Sequence, residues 1–575
     1  MSDDVKREIE YSGADAMCDA IIAADVDCVF LNSGTDYPPI IESWAKYEAQ
    51  GLKVPRVITS PHEYVALSAA QGYAQLTGKM QAVFVHVDVG TQNLGGAIHN
   101  AFRCRTPVFV LAGLSPYTIE GELPGGRNSY IQFVQNVADQ TGIVRGYTKY
   151  AEEYHSGKNI QQMTYRAIQI AKSEPMGPVY MTATREVLSE EGIDIAADMT
   201  RWGALSPSGL DNESVEVIVD ALSKAKKPLI ITSYSGRNKD CPAELVKLAE
   251  KLSIPVIEAN QSYMNFPGDN RFHAGFDVGG FIEFADVVLV IDCDVPWIPV
   301  HTTPKYDCRV FHIDIDPLKE SIPLWYIKAE RAIRADSFVA LRQLNEYIDS
   351  NAKAFDAELI ESRRNKVKEI YERIREDWKP VKVKGDKLTP EIITACVSEV
   401  IDKETILLNE AITSKAVVDR LVERTVPGTS FGNAGSSLGW HGGAALGMKL
   451  ACPDKDIVAL TGDGSYIFSC PTPLYWMAAK YNAPFMTVIY NNQGWNAPKT
   501  ITRAEYPDGY AAQTGNYHAS LAPSARFDLI AEAAGGAFAR TVTTPDKLRK
   551  ALAEGKQAVK DGKCAVINAM LSETV

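Results

Sequence analysis

The sequence has no surplus of positive charge, no closely spaced cysteines and no long apolar run. Its 59 Lys and Arg are outnumbered by 72 Asp and Glu, and a net charge of −13 argues against a surface that holds nucleic acid by counterion release. The ten cysteines contain no Cys-x-x-Cys pair, which argues against zinc knuckles and a disulfide scaffold and is typical of a reducing compartment. No apolar run reaches the roughly 18 residues of a membrane helix, and the charged segment Met1–Glu10 lacks the apolar core of a signal peptide. We therefore expect a cytoplasmic protein with neither nucleic acid nor a membrane as its partner.

What the sequence does contain is an ordinary globular composition in a repeating strand and helix pattern. Hydrophobic residues make up 46% and charged residues 23% of the sequence. A chain of 575 residues is long enough for about two to four domains. Short β-branched runs alternate with longer segments of helical spacing, as in parallel strands joined by crossover helices. The predicted strands are Asp27–Leu31, Gln81–His86, Pro107–Ala112, Pro178–Ala183, Pro228–Thr232, Ile254–Glu258, Asp286–Ile291, Arg309–Ile315, Thr405–Leu408, Ile457–Thr461, Phe485–Tyr490 and Cys564–Ala569.

This pattern predicts the α/β class with three doubly wound parallel-sheet domains. Asn351–Lys384 is dense in Glu, Lys and Arg and predicts a solvated helix that runs into a linker. The expected divisions are residues 1–195, 196–350, a linker at 351–385, and 386–575. In open parallel sheets, ligands bind beyond the carboxyl ends of the strands, so the loops that follow the predicted strands are where chemistry is expected.

The strongest single element is the run Gly462-Asp463-Gly464-Ser465 after the predicted strand Ile457–Thr461, followed one strand later by Asn491-Asn492-Gln493-Gly494. Glycines on both sides of an Asp allow a tight turn that presents a carboxylate together with free backbone N–H groups, which suits a magnesium-bound diphosphate. Asp463, Asn492 and the carbonyl of Gly494 would be the metal ligands, with diphosphate oxygens and a water completing an octahedron. The alternative is an ordinary turn and a strand terminator.

This pairing resembles the thiamine-diphosphate signature of the acetolactate synthase and benzoylformate decarboxylase family, and the resemblance extends over essentially the whole chain. It implies a pyrimidine-binding domain, a middle domain and a diphosphate-binding domain in that order, with thiamine diphosphate and Mg²⁺ as cofactors. Family members build each site from the segment that corresponds to Glu63 in one chain and the Asp463 loop of a partner. The resemblance therefore implies a homodimer as the minimum unit and a homotetramer as the common state.

The resemblance also assigns a role to Glu63, in the segment Ser60-Pro61-His62-Glu63-Tyr64 at the start of a predicted helix. This segment is similar to the family's catalytic glutamate segment. Its carboxyl would hydrogen-bond the cofactor pyrimidine and promote formation of the thiazolium ylide, while the cofactor carries the carbanion chemistry. The alternative is a first-turn acid favoured by the helix dipole.

Three further segments match parts of the family that contact the cofactor. Asn409-Glu410-Ala411-Ile412-Thr413-Ser414 resembles a stretch that holds the terminal phosphate, with Asn409, Ala411, Ile412 and Thr413 as candidates, although such a run is often only a helix cap. Leu438 occupies the position of the apolar residue that bends the cofactor, or is a core leucine. Trp495 follows the metal loop, where substrate would approach or where the ring would only pack.

The substrate side rests on three candidates. His86, at the end of a predicted strand, matches a histidine of benzoylformate decarboxylase and could shuttle a proton, or could be structural. Thr35 matches the small or hydroxyl residue of the first strand-end loop, and His301 lies near where the decarboxylase branch sends a second histidine. The family resemblance implies a small 2-oxo acid or ketone as the substrate.

The resulting hypothesis is a carbon–carbon lyase or carboligase that acts on 2-oxo acids, similar to acetolactate synthase or to a 2-oxo acid decarboxylase. Cleavage of a 1,2-diketone and a catalytically silent cofactor-binding paralogue are the alternatives within the family. FAD is possible but not supported, because Thr232–Arg237 and Asp294–Trp297 keep neither the glycine-rich turn nor the Arg-rich loop of the flavin-binding members. A flavin or nicotinamide enzyme is further disfavoured, because no Gly-x-Gly-x-x-Gly run follows Pro228–Thr232.

Overall fold

The computed structural model describes residues 11–193, 198–379 and 386–573. Three parallel β-sheets of six, five and six strands form its framework. The first sheet has the order β2-β1-β3-β4-β6-β5, the second β11-β10-β9-β7-β8 and the third β13-β12-β14-β15-β17-β16. Their bounds are β1 Cys28–Leu31, β2 Arg56–Thr59, β3 Gln81–Val85, β4 Val108–Gly113, β5 Tyr150–Glu153, β6 Val179–Ala183, β7 Pro228–Thr232, β8 Val256–Glu258, β9 Val287–Ile291, β10 Arg309–Asp314, β11 Arg331–Arg334, β12 Ile406–Glu410, β13 Ser430–Phe431, β14 Ile457–Gly462, β15 Met486–Asn491, β16 Phe538–Val542 and β17 Ala565–Met570.

Helices connect these strands, which confirms the predicted α/β class with three parallel sheets. In chain order they are α1 Gly13–Ala23, α2 Pro38–Ala49, α3 Glu63–Thr77, α4 Val87–Asn93, α5 Gly95–Arg103, α6 Ile131–Val134, α7 Ile160–Lys172, α8 Arg185–Leu188, α9 Asn212–Lys224, α10 Cys241–Leu252, α11 Ser337–Ser350, α12 Ala357–Asp377, α13 Pro390–Ser398, α14 Lys415–Leu421, α15 Trp440–Ala451, α16 Asp463–Phe468, α17 Pro471–Lys480, α18 Asn496–Glu505, α19 Tyr510–Thr514, α20 Phe527–Gly535 and α21 Pro545–Lys560. Among the helices in the described ranges, none is both long and apolar enough to cross a membrane.

The chain divides into two compact units. The first contains Met1–Leu205, Gly435–Pro453 and Ile467–Ala483, and it carries the first sheet together with α15 and α17. The second contains the remaining segments, Ser206–Ala434, Asp454–Tyr466 and Pro484–Val575, and it carries the other two sheets. The domain boundaries at 195, 350 and 385 stay predictions.

Within the first unit, α3 and α15 approach each other so closely that glycine is required at the contact. A Cβ added to Gly72 would lie 2.4 Å from the carbonyl oxygen of Ala444, and one added to Gly447 would lie 1.9 Å from that of Ala69. Small residues at such positions let two helix backbones pack directly against each other. The helix that begins at Glu63 is therefore held by the helix that follows Leu438.

Within the second unit, the charged segment predicted as a solvated helix forms α12, which is anchored to the second sheet's layer. The Arg363 guanidinium is buried and donates hydrogen bonds to the carbonyls of Leu222, Ser223 and Ala225. The helix is thus solvated on one face and docked on the other. Residues 380–385 of the predicted linker lie outside the described residues.

Five strands were not predicted, namely β2, β5, β11, β13 and β16, and each lies at an edge of its sheet. An edge strand has one neighbour and presents polar side chains to water, so it lacks a continuous apolar run.

One predicted boundary also needs correction, because β12 continues through Asn409 and Glu410, which pair with Leu460 and Thr461 of β14. Asn409 therefore lies within the strand and not after it.

Candidate cofactor site and active site

Asp463 begins α16 directly after β14 and is 3% exposed. Burial raises the pKa of its carboxyl to about 6, while backbone N–H groups of Gly464, Asp463, Gly494 and Gln493 act in the opposite direction. Its Oδ2 is buried and has no hydrogen-bond partner among the described residues. A buried carboxylate oxygen without a partner is costly, and a bound cation would remove that cost.

The loop after β15 supplies the other predicted metal ligands. Because β14 and β15 are parallel neighbours, with Gly462 opposite Tyr490, their carboxyl ends share one edge of the third sheet. Asn492 lies in that loop, and its Oδ1 accepts the Gly494 N–H at 3.1 Å. One carboxylate, one amide and one backbone carbonyl are oxygen donors of the kind that Mg²⁺ prefers, and additional oxygens must come from a ligand or water. The residues therefore fit a magnesium-bound diphosphate.

Gly464 and Trp495 are in contact next to Asp463. A Cβ on Gly464 would lie 2.0 Å from Cζ3 of the half-buried Trp495 ring. The Trp495 N–H donates to the carbonyl of Ala519 at 2.7 Å, which fixes the start of α18. Packing against Gly464 is thus the role of Trp495 that the contacts support directly. Ser465 is buried in the first turn of α16.

The predicted phosphate segment lies at the end of β12, which is the other neighbour of β14. Asn409 Oδ1 accepts the N–H of Ala411 at 3.2 Å, and its Nδ2 donates to Asp419 at 3.1 Å. Lys415 pairs with the same Asp419 at 2.6 Å, which balances that carboxylate. Ile412 and Thr413 are exposed in the short turn that follows, so they are accessible to a ligand.

Glu63 lies in the first unit as the first residue of α3 and is 7% exposed. Its Oε2 accepts a hydrogen bond from Asn93 Nδ2 at 3.1 Å. The next residue, Tyr64, donates its hydroxyl to the carbonyl of Leu438 at 2.6 Å. The structure therefore brings Glu63 and Leu438 into one neighbourhood, although they are far apart in the sequence.

His86 caps α4 and forms a dyad with Asp36. The distance from His86 Nδ1 to Asp36 Oδ1 is 2.7 Å, and His86 Nε2 lies 3.1 Å from Gln135 Oε1. Asp36 Oδ2 also accepts the Val87 N–H at 3.2 Å. The hydrogen bond to Asp36 raises the pKa of His86 above its ordinary value, against the effect of burial. The ring is therefore held with Nδ1–H toward the carboxylate, and Nε2 is the atom that can take or give a proton.

Two glycines make room for this dyad. A Cβ on Gly34 would lie 2.0 Å from His86 Nδ1, and one on Gly113 would lie 1.6 Å from Asp36 Oδ2. Any larger residue at either position would displace the pair. The loop after β1 and the last position of β4 thus have glycine where the two side chains meet.

The remaining two candidates are exposed. Thr35 precedes Asp36, and its carbonyl accepts from Arg185 Nη1 at 3.5 Å. His301 lies in a turn of the second unit, where its N–H donates to the carbonyl of Ile298. The catalytic roles of Thr35 and His301 stay predictions.

Sequence reasoning missed Asp36, Asn93 and Gln135. Asp36 lies two residues after the glycine of a loop that the sequence did single out, but nothing in the spacing connects it with a histidine fifty residues later. Asn93 ends a helix, and Gln135 lies in an irregular segment, so neither has a local signal.

Family models for the three parts of one enzyme type match the chain along most of its length. They are "Thiamine pyrophosphate enzyme, N-terminal TPP binding domain" at residues 11–143, the central domain at 215–344, and the "C-terminal TPP binding domain" at 413–569. The chain belongs to the thiamine pyrophosphate enzyme family. The matches bear out the predicted family and thiamine diphosphate as its cofactor.

Proteins of known activity resemble the chain over nearly its full length. A 2-hydroxyacyl-CoA lyase of Arabidopsis thaliana is 26% identical, with 90% of this chain and 89% of that protein covered. An acetolactate synthase of Bacillus subtilis is 23% identical, with coverage of 96% and 92%. The solved structure of a thiamine diphosphate-dependent 4-hydroxybenzoylformate decarboxylase of Rhodococcus jostii RHA1 superposes with a TM-score of 0.79 at 20% identity, covering 98% of this chain and 99% of that one, and shows the same fold.

Proposed function

We propose that this protein is a magnesium- and thiamine-diphosphate-dependent enzyme that makes or breaks a carbon–carbon bond next to a carbonyl, with a 2-oxo acid as the donor. The observation that carries the proposal is the buried Oδ2 of Asp463 at the end of β14, which has no hydrogen-bond partner in the described part of a chain with thiamine pyrophosphate domains. When bound, thiamine diphosphate supplies an electron sink for the carbanion chemistry.

The residues of the chain have distinct parts in this proposal. Asp463, Asn492 and the carbonyl of Gly494 hold Mg²⁺, and the backbone N–H groups around Gly464 face the diphosphate. Asn409 positions the turn that contacts the terminal phosphate. This assignment is supported by the shared edge of β12, β14 and β15.

On the substrate side, Glu63 holds a proton at Oε1 or Oε2 next to the cofactor's pyrimidine, and Asn93 orients that carboxyl. His86 Nε2 exchanges a proton with the substrate-derived oxygen, while Asp36 fixes the tautomer through Nδ1. Because His86 can exchange a proton in the site, the dyad favours a decarboxylase or a carboligase. We further propose a cytoplasmic homodimer as the minimum active assembly and a homotetramer as the larger state, which light scattering after size-exclusion chromatography would test.

The experiment that tests the function is incubation of the pure protein with thiamine diphosphate, Mg²⁺ and a panel of 2-oxo acids and 1,2-diketones, with products identified by mass spectrometry. Carbon dioxide with an aldehyde indicates a decarboxylase, and a hydroxyketone indicates a carboligase. No product from any 2-oxo acid would contradict the proposal.

A matched pair of variants separates catalysis from helix stabilisation. Glu63→Gln is expected to lose at least 100-fold in turnover, because the amide cannot hold the proton. Glu391→Gln removes another first-turn acid, that of α13, and should cost only about 0.3–1 kcal/mol of stability. Equal activities of the two variants would mean that Glu63 serves only as a first-turn acid.

A further inference from the structure

A cavity of about 230 Å³ opens at the amino ends of the second sheet. Its walls come from the starts of β7 and β8, the turn before β9 and one face of α12. The deep part is apolar and buried, with Leu229 at 2%, Ala285 at 3% and Val367 at 5% exposure. Because an apolar cavity of about 150 Å³ can hold benzene, this one has room for an aromatic ring or a short acyl chain.

The rim of the cavity is strongly positive in a chain whose net charge is −13. Lys226, Lys227, Lys366 and Arg373 line it with exposed side chains, and none of the four forms an ion pair within the described ranges. The neighbouring Asp286 carboxylate already accepts the backbone N–H groups of Lys226 and Lys227 at 2.6 and 2.9 Å. Four cations therefore face the opening with no carboxylate partner among the residues that the structure describes.

A fifth cation lies deeper. Arg363 lines the cavity and is 3% exposed, and its Nε is buried without a hydrogen-bond partner in the part of the chain that the structure describes. Burial lowers the pKa of this guanidinium to about 10, so it stays charged at neutral pH. Its hydrogen bonds to the carbonyls of Leu222, Ser223 and Ala225 hold it in the wall, where its charge adds to the positive potential of the cavity.

The aromatic lining matches a ligand with an apolar body. Phe284 is 52% exposed at the mouth of the cavity. The ammonium groups of Lys227 and Lys305 lie 5.2 and 5.7 Å from the centroid of its ring. The positive charges are thus concentrated around an aromatic surface, as in a site that takes charge and apolar area together.

We propose that this cavity binds a small carboxylate with an apolar body that carries an aryl group. The body enters between Phe281, Phe284 and Val367, and the carboxylate stays at the wet rim among Lys226, Lys366 and Arg373. A carboxylate fits because its single charged group can stay at the rim while the apolar body of the ligand fills the apolar part of the cavity. None of the residues predicted to hold the thiamine cofactor lines this cavity, so the site is separate from the proposed catalytic chemistry.

The test is calorimetric titration of the full-length protein, with thiamine diphosphate and Mg²⁺ present, using 4-phenylbutyrate as the probe. The matched amide, 4-phenylbutyramide, keeps the body without the charge, and butyrate keeps the charge with little body. We expect both to bind at least 5-fold more weakly than 4-phenylbutyrate, and the affinity for 4-phenylbutyrate to fall as salt rises. Equal affinities for the acid and its amide would overturn the proposal.

Variants locate the site. Ile370→Trp fills the mouth from α12, and the double variant Lys366→Ser/Arg373→Ser removes charge at exposed positions of the same helix. Each should lower the affinity for 4-phenylbutyrate at least 5-fold. The control Lys368→Ser should leave it unchanged, because Lys368 lies on α12 but pairs with Glu372 and does not line the cavity. If Ile370→Trp does not fold, the exposed double variant decides alone. A binding event that survives the double variant unchanged lies elsewhere and refutes the assignment.

Discussion

Replacing Asp36 by Asn tests whether the dyad sets the proton chemistry of His86. The substitution keeps the shape of the side chain and removes the charge that lies 2.7 Å from Nδ1. The His86 and Asp36 side chains are 20% and 4% exposed, so solvent screens the pair only weakly. A hydrogen bond to a charged group contributes about 1.5–3 kcal/mol, which corresponds to roughly 10- to 150-fold in kcat/KM if the dyad acts in the transition state.

The sign of the pH effect follows from the cause of the shift. The hydrogen bond to Asp36 raises the pKa of His86, so Asp36→Asn should lower that pKa and move the corresponding limb of the kcat/KM profile to lower pH. When the pKa of His86 is higher in the folded protein than in the unfolded chain, protonation of His86 stabilises the folded state. This contribution is complete at pH values below the unfolded-state pKa, and it disappears as the pH rises through the folded-state pKa. The stability loss of the variant should therefore be larger at about pH 6 than at about pH 9.

The assay is the pH dependence of kcat/KM and of urea unfolding for the wild type and two variants. Asp88→Asn is the matched control. Asp88 is buried and lies two residues from His86, but its charge makes the smallest of the contributions that shift the pKa of His86. Cofactor affinity should stay unchanged in Asp36→Asn. If its pH profile coincides with that of Asp88→Asn, the dyad has no part in the proton chemistry.

Two further substitutions act through packing. Gly464→Ala places a methyl group against the Trp495 ring and should displace the metal loop. We expect thiamine diphosphate and Mg²⁺ to bind at least 10-fold more weakly in a fluorescence titration. The control Gly462→Ala has open space around its Cβ and should have a smaller effect. Gly447→Ala forces α15 away from α3 and should lower the free energy of unfolding by about 1–3 kcal/mol in urea denaturation. An unchanged midpoint would show that the two helices separate without cost.

The sequence predicted the central strands well and the edge strands poorly. β3, β4, β9 and β14 are buried along most of their length, so their apolar runs are visible in the sequence. β11, in contrast, alternates between exposed and half-buried residues, and only its pairing with β10 makes it a strand. Pairing partners outside the local sequence are what a propensity argument lacks.

The candidate site divides in the same way. Gly462-Asp463-Gly464 could be singled out because the proposed metal ligand and the glycines of its turn are adjacent in the sequence. The structure shows Glu63 as a buried first-turn acid, and its contact with Asn93 could not be foreseen. Asp36 depends on a contact across two strand-end loops and on space provided by Gly34 and Gly113, which only the folded chain reveals.

The glycine contact between α3 and α15 also constrains the order in which the protein can be completed during synthesis. α3 is buried from Glu63 to Leu76, and the helix that packs on it begins only at Trp440. At about 5–20 residues per second, the ribosome takes roughly 20–70 s to add the intervening chain. Throughout that time α3 packs only on the neighbouring strands and helices of the first sheet, and the face that α15 covers is completed last.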